Sequence, residues 1–271
     1  MPASQPIAVF DSGLGGLTVL RALRERLPQE NYFYFADTRF LPYGDKPEVF
    51  LRERGVLIAE ALARQGAKAM VIACNTATAA AAEAIRAATQ LPVVALEPGV
   101  KPAAQLTKSG VVGVLATTRT LHSDRFQRLV GNHANHVRVL AQACPGLADT
   151  IEHEGADSPA VGKLLDAYIA PLAAAGADVV VLGCTHYPFL EGAISYVMGE
   201  GVSLVSSDTE TAKDVYRQLV SRGLLAGPDA TALHTYEATG DSAEDFLCLA
   251  DRLMGRGVSA VRLVQTGAID L

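Results

Sequence analysis

The stretch Val71-Ile72-Ala73-Cys74-Asn75-Thr76 is a continuous apolar run that stops on a thiol, an amide and a hydroxyl. A run that is apolar at consecutive positions reads as a strand buried on both faces, as in a parallel sheet covered by helices. Working outward, comparable runs occur at Ile7–Phe10, Tyr32–Phe35, Ala69–Ala73, Pro92–Leu96, Val111–Leu115, Val137–Leu140, Asp178–Leu182 and Val202–Val205. Helical periodicity fills the intervals. Leu17, Leu20, Leu23 and Leu27 share one face that Pro28 closes, and Phe50, Leu57, Ile58, Ala61 and Leu62 form a second stripe closed by Gly66. Strands alternating with helices of about 10–15 residues imply an α/β fold with mostly parallel, doubly wound sheets.

The opening stretch has an echo. Val181-Leu182-Gly183-Cys184-Thr185-His186 repeats its pattern 110 residues later, and Ile7-Ala8-Val9-Phe10-Asp11-Ser12 is matched by Val112-Gly113-Val114-Leu115-Ala116-Thr117 at a similar offset. Ligands of open α/β sheets bind at the carboxyl ends of the strands. Two similar halves would therefore offer two cysteines to one site. Any α/β protein yields apolar look-alikes, but a thiol at the matched position in both favours a true repeat.

Composition sets the bounds. The chain has 271 residues, 49% hydrophobic and 19% charged, with a formal net charge of −6. That excludes a disordered or collagen-like chain, and without a basic tract nucleic acid is not an expected partner. No run approaches the ~18 consecutive apolar residues of a membrane span, and Met1–Pro6 lacks the regions of a signal peptide, so a cytoplasmic protein is expected.

The four cysteines, Cys74, Cys144, Cys184 and Cys248, form no CxxC, which argues against a metal knuckle or a redox dithiol. Cys248 lies in an amphipathic helical run and reads as packing, and Cys144, before Pro145-Gly146, reads as structural. Cys74 and Cys184 each end a strand and precede capping or turn residues, where a helix N-terminus favours the thiolate. Either alone is as compatible with a buried structural thiol; the symmetric pair favours reactivity. His186 stands beside Cys184 as an acid/base or thiol-orienting group, or as a buried polar residue. Glu152 in Asp149–Glu154 fits either a role near a thiol or an exposed helix face.

Asp11-Ser12-Gly13-Leu14-Gly15-Gly16 opens the first helix at a phosphate-loop-like position, yet matches neither GxGxxG nor GxxxxGK[ST]. Its backbone N–H groups suit a carboxylate, and Asp11 suits a substrate ammonium, a thiol or simple N-capping. Leu41-Pro42-Tyr43-Gly44 is a turn that has a hydroxyl and a backbone N–H to offer a ligand. None of the six lysines sits in a motif suggesting a Schiff base, which disfavours a pyridoxal enzyme.

Taken together, Ile7–Gly16, Asp37–Gly44, Ile72–Ala77 and Leu182–Leu190, with Ala143-Cys144-Pro145, Ser207-Asp208-Thr209, Ala238-Thr239-Gly240-Asp241 and Phe246, resemble the glutamate racemases of the cofactor-independent aspartate/glutamate racemase superfamily. The resemblance spans nearly the whole chain. It implies two pseudosymmetric doubly wound domains, 1–98 plus 209–271 and 99–208, with the active site in the interdomain cleft. It also implies racemisation of L- and D-glutamate for peptidoglycan, without cofactor or metal, by a homodimer. Cys74 and Cys184 become the catalytic bases, taking the Cα proton from D- and L-glutamate respectively, with Asp11, His186 and Glu152 as auxiliary groups. Asp11, Ser12, Pro42, Tyr43, Gly44, Asn75, Thr76, Thr118, Thr185 and His186 become substrate contacts. After Ala143-Cys144-Pro145 the family's apolar stretch is replaced by Gly146–Thr150, and a first strand starting near residue 7 implies that the N-terminal extension of precursor-regulated members is missing.

Chemistry favours a pair independently. Inverting a carbon means taking a proton from one face and giving one to the other, which two opposed acid/base groups do most simply. An aspartate-specific racemase would keep both thiols but leave Tyr43 and the DSGLGG start unexplained. A one-thiol decarboxylase needs only one motif cysteine, and a non-catalytic amino-acid-binding module needs neither.

Overall fold

In the computed structural model, residues 3–254 and 258–264 are described. The ends of the expected first domain, 1–2 and 265–271, and the short segment 255–257 lie outside the described residues. The chain divides into two compact units, one drawn from Met1–Leu96 and Asp208–Leu271, the other Glu97–Ser207.

The first unit begins β1 (Ile7–Asp11), α1 (Leu17–Arg26), β2 (Tyr32–Ala36), α2 (Glu48–Arg64), β3 (Ala69–Ile72), α3 (Asn75–Ala88), β4 (Val93–Ala95). The second comprises α4 (Val100–Leu106), β5 (Val111–Ala116), α5 (Thr118–His122), α6 (Asp124–His133), β6 (Arg138–Ala143), α7 (Leu147–Glu154), α8 (Pro159–Ala174), β7 (Val179–Gly183), α9 (Glu191–Met198) and β8 (Ser203–Ser206). The first resumes with α10 (Asp208–Arg222), β9 (His234–Ala238), α11 (Ala243–Met254) and β10 (Arg262–Leu263).

Sheet one runs β10-β9-β2-β1-β3-β4 and sheet two β6-β5-β7-β8, with every pairing parallel. The order β2-β1-β3-β4 is thus reproduced by β6-β5-β7-β8. The two echoed sequence pairs are the strands β1/β5 and β3/β7, which are neighbours in each sheet.

The consecutive apolar pattern has the expected cause. In β1, Ile7 and Val9 face one core with Tyr32, Tyr34, Val71 and α1, whereas Ala8 and Phe10 face another with Phe33, Phe35, Ile72 and α2. Strand side chains alternate between faces, so a strand covered on both must be apolar throughout. The edge strands β6 and β8 are only partly covered.

Three expectations need correction. The buried side of α2 is Leu51, Arg54, Gly55, Ile58, Ala59, Ala61 and Leu62, so Phe50 and Leu57 lie at its border, half-buried. Cys248 is exposed rather than packed, because Phe246 and Ala250 take the buried face of α11. Strands β9 and β10 were not anticipated: His234-Thr235-Tyr236-Glu237-Ala238 carries a glutamate that is buried in the sheet and paired with Arg262 on β10.

Candidate active site

At the carboxyl ends of β1 and β3, Asp11, Ser12 and Cys74 are all buried. Cys74 caps α3: its sulfur accepts the Ala77 N–H at 3.4 Å, and its carbonyl accepts the Thr78 N–H at 2.8 Å. The Ser12 hydroxyl and the Cys74 thiol share a 3.5 Å hydrogen bond. A sulfur held by a helix's free N–H groups is favoured as thiolate.

Asp11 organises the loop before α1. Its Oδ2 accepts the N–H groups of Gly13 at 3.2 Å and Gly16 at 2.9 Å, while the Tyr34 hydroxyl donates to the Gly13 carbonyl at 2.8 Å. Those two amides are therefore committed to Asp11 rather than offered to an anion; Asp11 ties the loop together but is not the N-cap of α1, which is Gly16 without a side-chain cap. The approach is close: a Cβ on Gly16 would lie 2.7 Å from Asp11 Cβ.

Asn75 and Thr76 form the first turn of α3 and are buried. Neither polar atom of the Asn75 side chain has a partner among the described residues. Leaving a buried amide unsatisfied costs about 1–3 kcal/mol, so a donor and an acceptor stand ready for a ligand.

Tyr43 behaves differently from expectation. Its hydroxyl does not face a ligand but donates to Asp37 Oδ2 at 2.6 Å, and its ring packs edge-on to Phe10. Burial first, and then the Asp37 carboxylate, push the phenol well above its ordinary pKa, which keeps it a neutral donor. What Tyr43 and Gly44 have left to present is backbone. Pro42 and Gly44 flank it, half-buried.

In the second unit Cys184 follows β7 and is buried. The His186 ring spans two partners, with Nδ1 3.6 Å from Cys184 Sγ and Nε2 2.5 Å from Glu152 Oε1. The Glu152 side chain is therefore enclosed, which overturns the exposed-face reading. Burial alone would lower the basicity of His186, but the Glu152 carboxylate and the hydrogen bonds to Cys184 and Glu152 outweigh it, so its pKa lies well above the ordinary value.

No α-helix begins at Cys184. In α3 the fourth residue after the cysteine donates to the cysteine's carbonyl; here that residue is Pro188, which has no N–H. Tyr187 donates instead, at 3.1 Å, and a 3₁₀ turn over Tyr187–Leu190 precedes α9. The helix-terminus effect expected at both thiols is thus built only at Cys74, and Cys184 has an imidazole in its place. Cys144 is buried, donates to the Gln142 carbonyl at 3.5 Å and is pushed by burial up to about 12, which suits the structural role read for it.

The structure thus brings Asp11, Ser12 and Cys74 together in one unit, with Asn75 and Thr76 next in the chain. In the other it gathers Cys184, His186 and Glu152, with Thr185 buried between Cys184 and His186. Thr118, the first residue of α5, is exposed and joins neither group. Sequence reasoning missed Asp37, Arg54 and Thr239. Asp37 and Arg54 form a buried ion pair at 2.7 Å, and Thr239 also donates to Asp37. Arg54 carried a signal: it sits three residues after Leu51 and four before Ile58, a charge in the middle of an apolar stripe.

The model of the Asp/Glu/Hydantoin racemase family matches residues 19–215. The chain is 50% identical over 237 residues to a glutamate racemase of Ectopseudomonas mendocina, covering 87% of this chain and 90% of that protein. It belongs to the Asp/Glu/Hydantoin racemase family, on its glutamate racemase branch. Solved structures of that branch superpose throughout. The glutamate racemase from Thermus thermophilus, in complex with beta-chloro-D-alanine, has a TM-score of 0.83 and 39% identity, covering 99% of this chain and 100% of that one. The one from Francisella tularensis, in complex with D-glutamate, has a TM-score of 0.84 at 26% identity and covers 97% and 98%. Family membership makes this chain an isomerase.

Proposed function

We propose that this racemase interconverts L- and D-glutamate by two-base proton transfer, without a cofactor. The observation that carries the reading is the matched placement of Cys74 and Cys184, each just beyond the carboxyl end of the equivalent strand in two sheets that share a four-strand order, β2-β1-β3-β4 and β6-β5-β7-β8. The relatives at this level of identity are glutamate racemases, and one related structure holds D-glutamate.

In this mechanism each thiol serves one face of the substrate α-carbon. From D-glutamate, Cys74 as thiolate takes the Cα proton, and the Cys184 thiol delivers its own proton to the opposite face. The product is L-glutamate, with Cys74 now protonated and Cys184 a thiolate. The reverse reaction interchanges the roles. The Cα proton is very weakly acidic, so the carbanion-like state needs stabilisation. Asn75, Thr76, Thr185 and the Tyr43–Gly44 backbone supply donors toward the substrate carboxylates, and removing one such donor typically costs about 3–4 kcal/mol. His186, charged and backed by Glu152, donates its Nδ1–H toward the Cys184 sulfur and stabilises the thiolate that forms there. Ser12 and the α3 N-terminus stabilise Cys74 as thiolate. D-Glutamate made this way supplies peptidoglycan synthesis in the cytoplasm. The same reading carries a homodimer, which light scattering checks.

The test incubates the purified protein with L-glutamate, D-glutamate and L-aspartate in deuterated water. Racemisation with Cα deuteration of both glutamate enantiomers, and neither with aspartate, is the expected result. Absence of both enantiomer and deuterium sinks the enzyme reading, and equal turnover of aspartate sinks the substrate assignment. Cys74→Ser and Cys184→Ser should each abolish near-normal turnover; retention by either in both directions refutes two-base chemistry.

A further inference from the structure

Asp37 follows β2 and is fully enclosed. A carboxylate has about four acceptor positions, and here four donors fill them. Oδ2 takes the Tyr43 hydroxyl at 2.6 Å and Arg54 Nε at 2.9 Å, and Oδ1 takes Arg54 Nη2 at 2.7 Å and the Thr239 hydroxyl at 2.9 Å. A carboxylate so saturated has nothing left for a substrate. Its partners, however, come from three places away from the end of β2: the Pro42–Gly44 turn, α2, and the residue after β9.

The turn is held from other sides too. Arg54 lies over the Phe40 ring, 4.6 Å from its centroid, just before the turn, and the Thr239 hydroxyl also accepts the Arg39 N–H at 3.2 Å. Tyr43 shares an apolar cluster with Cys74, and its short turn packs against α3. Burying an ion pair costs desolvation that an apolar pair avoids, so such a pair is weak evidence for stability alone. What a bidentate guanidinium–carboxylate pair provides well is fixed geometry.

We propose that Asp37, saturated by Tyr43, Arg54 and Thr239, is a positioning residue that holds the Tyr43–Gly44 backbone beside the N-terminal end of α3 and so fixes the substrate relative to Cys74. The inference rests on the two-base glutamate reading. Asp37 works through Tyr43 and touches no reacting atom. The network belongs to the Cys74 unit, so loosening it slows proton transfer at Cys74 more than at Cys184.

Asp37→Asn strands the buried Arg54 charge and endangers folding itself, so the test uses Tyr43→Phe, which keeps the ring against Phe10 and removes only the bond to Asp37. Since the two enantiomers have equal free energy, kcat/KM must fall by the same factor in both directions, here on the order of 10- to 100-fold for a displacement near 1 Å. The primary isotope effect is the discriminating readout. With substrate deuterated at Cα, it should rise for D-glutamate, whose proton Cys74 removes, and fall for L-glutamate. A Tyr43→Phe enzyme whose two isotope effects equal those of the wild type, whatever its kcat, overturns the proposal, because a merely structural loss lowers the active fraction without redistributing the barriers. A change confined to the L-glutamate effect overturns it as well. Failure of the functional reading shows separately, as a wild-type protein that racemises neither enantiomer.

Discussion

The two thiols have unlike neighbours. Cys74 meets a hydroxyl and a backbone N–H, whereas Cys184 meets an imidazole whose far nitrogen is bonded to a carboxylate. That dyad has a stability signature. His186 has a raised pKa in the folded state, so its contribution is fully present below the unfolded value, about 6.5, and is lost as pH rises through the folded value. Glu152→Gln removes the partner of a buried charge, which should cost about 3 kcal/mol near pH 6 and less at pH 9. Urea unfolding at the two pH values measures this; an equal cost at both would show that His186 is not held charged. At this scale the sequence was legible where a residue stood beside another reactive one, as with Cys184 and His186. Asp37 and Arg54 were not, because their partnership spans 17 positions and depends on how α2 is rotated on the sheet. The Tyr43 hydroxyl was misassigned for the same reason: nothing local reveals which acceptor a buried phenol will find.

Among elements, the contrast between α3 and the 3₁₀ turn after Cys184 follows from one atom, the N–H that Pro188 lacks. It was readable in Thr185-His186-Tyr187-Pro188, yet the resemblance between the two cysteine motifs masked it. The residue before each cysteine differs as well. Gly183 stands where the first half has Ala73, and a Cβ there would lie 2.8 Å from the Leu115 carbonyl oxygen and 2.9 Å from Ala116 Cβ. Backbone cannot give way as a flexible side chain does. Gly183→Ala should therefore destabilise the protein by about 1–3 kcal/mol and lower activity by displacing Cys184. A thermal melt and an activity assay check this; a variant with wild-type stability and rate would mean that β5 and β7 separate at no cost. β1, β2, β3, β5 and β7 were legible because burial on both faces forces consecutive apolar residues, and the partly covered edge strands β4, β6 and β8 still carried short apolar runs. β9 was hidden because its Glu237 is paired with Arg262, 25 positions on.

For the whole molecule, the repeated strand order explains why one thiol motif occurs twice. Each half sets a cysteine beyond the equivalent strand, and the chain returns through α10 to complete the first sheet with β9 and β10. The half-repeat was legible because β1/β5 and β3/β7 are interior strands covered on both faces, where packing constrains sequence most. No helix among the described residues is long and apolar enough to cross a membrane. The central claim is that two different bases serve the two enantiomers. Its most direct measurement starts from L-glutamate in deuterated water and follows Cα deuterium, early in the reaction, separately in the D-glutamate formed and the L-glutamate recovered. Two bases predict product fully deuterated while recovered substrate keeps its proton. Deuterium entering both pools alike from the outset would mean that a single base serves both faces, and would contradict the account.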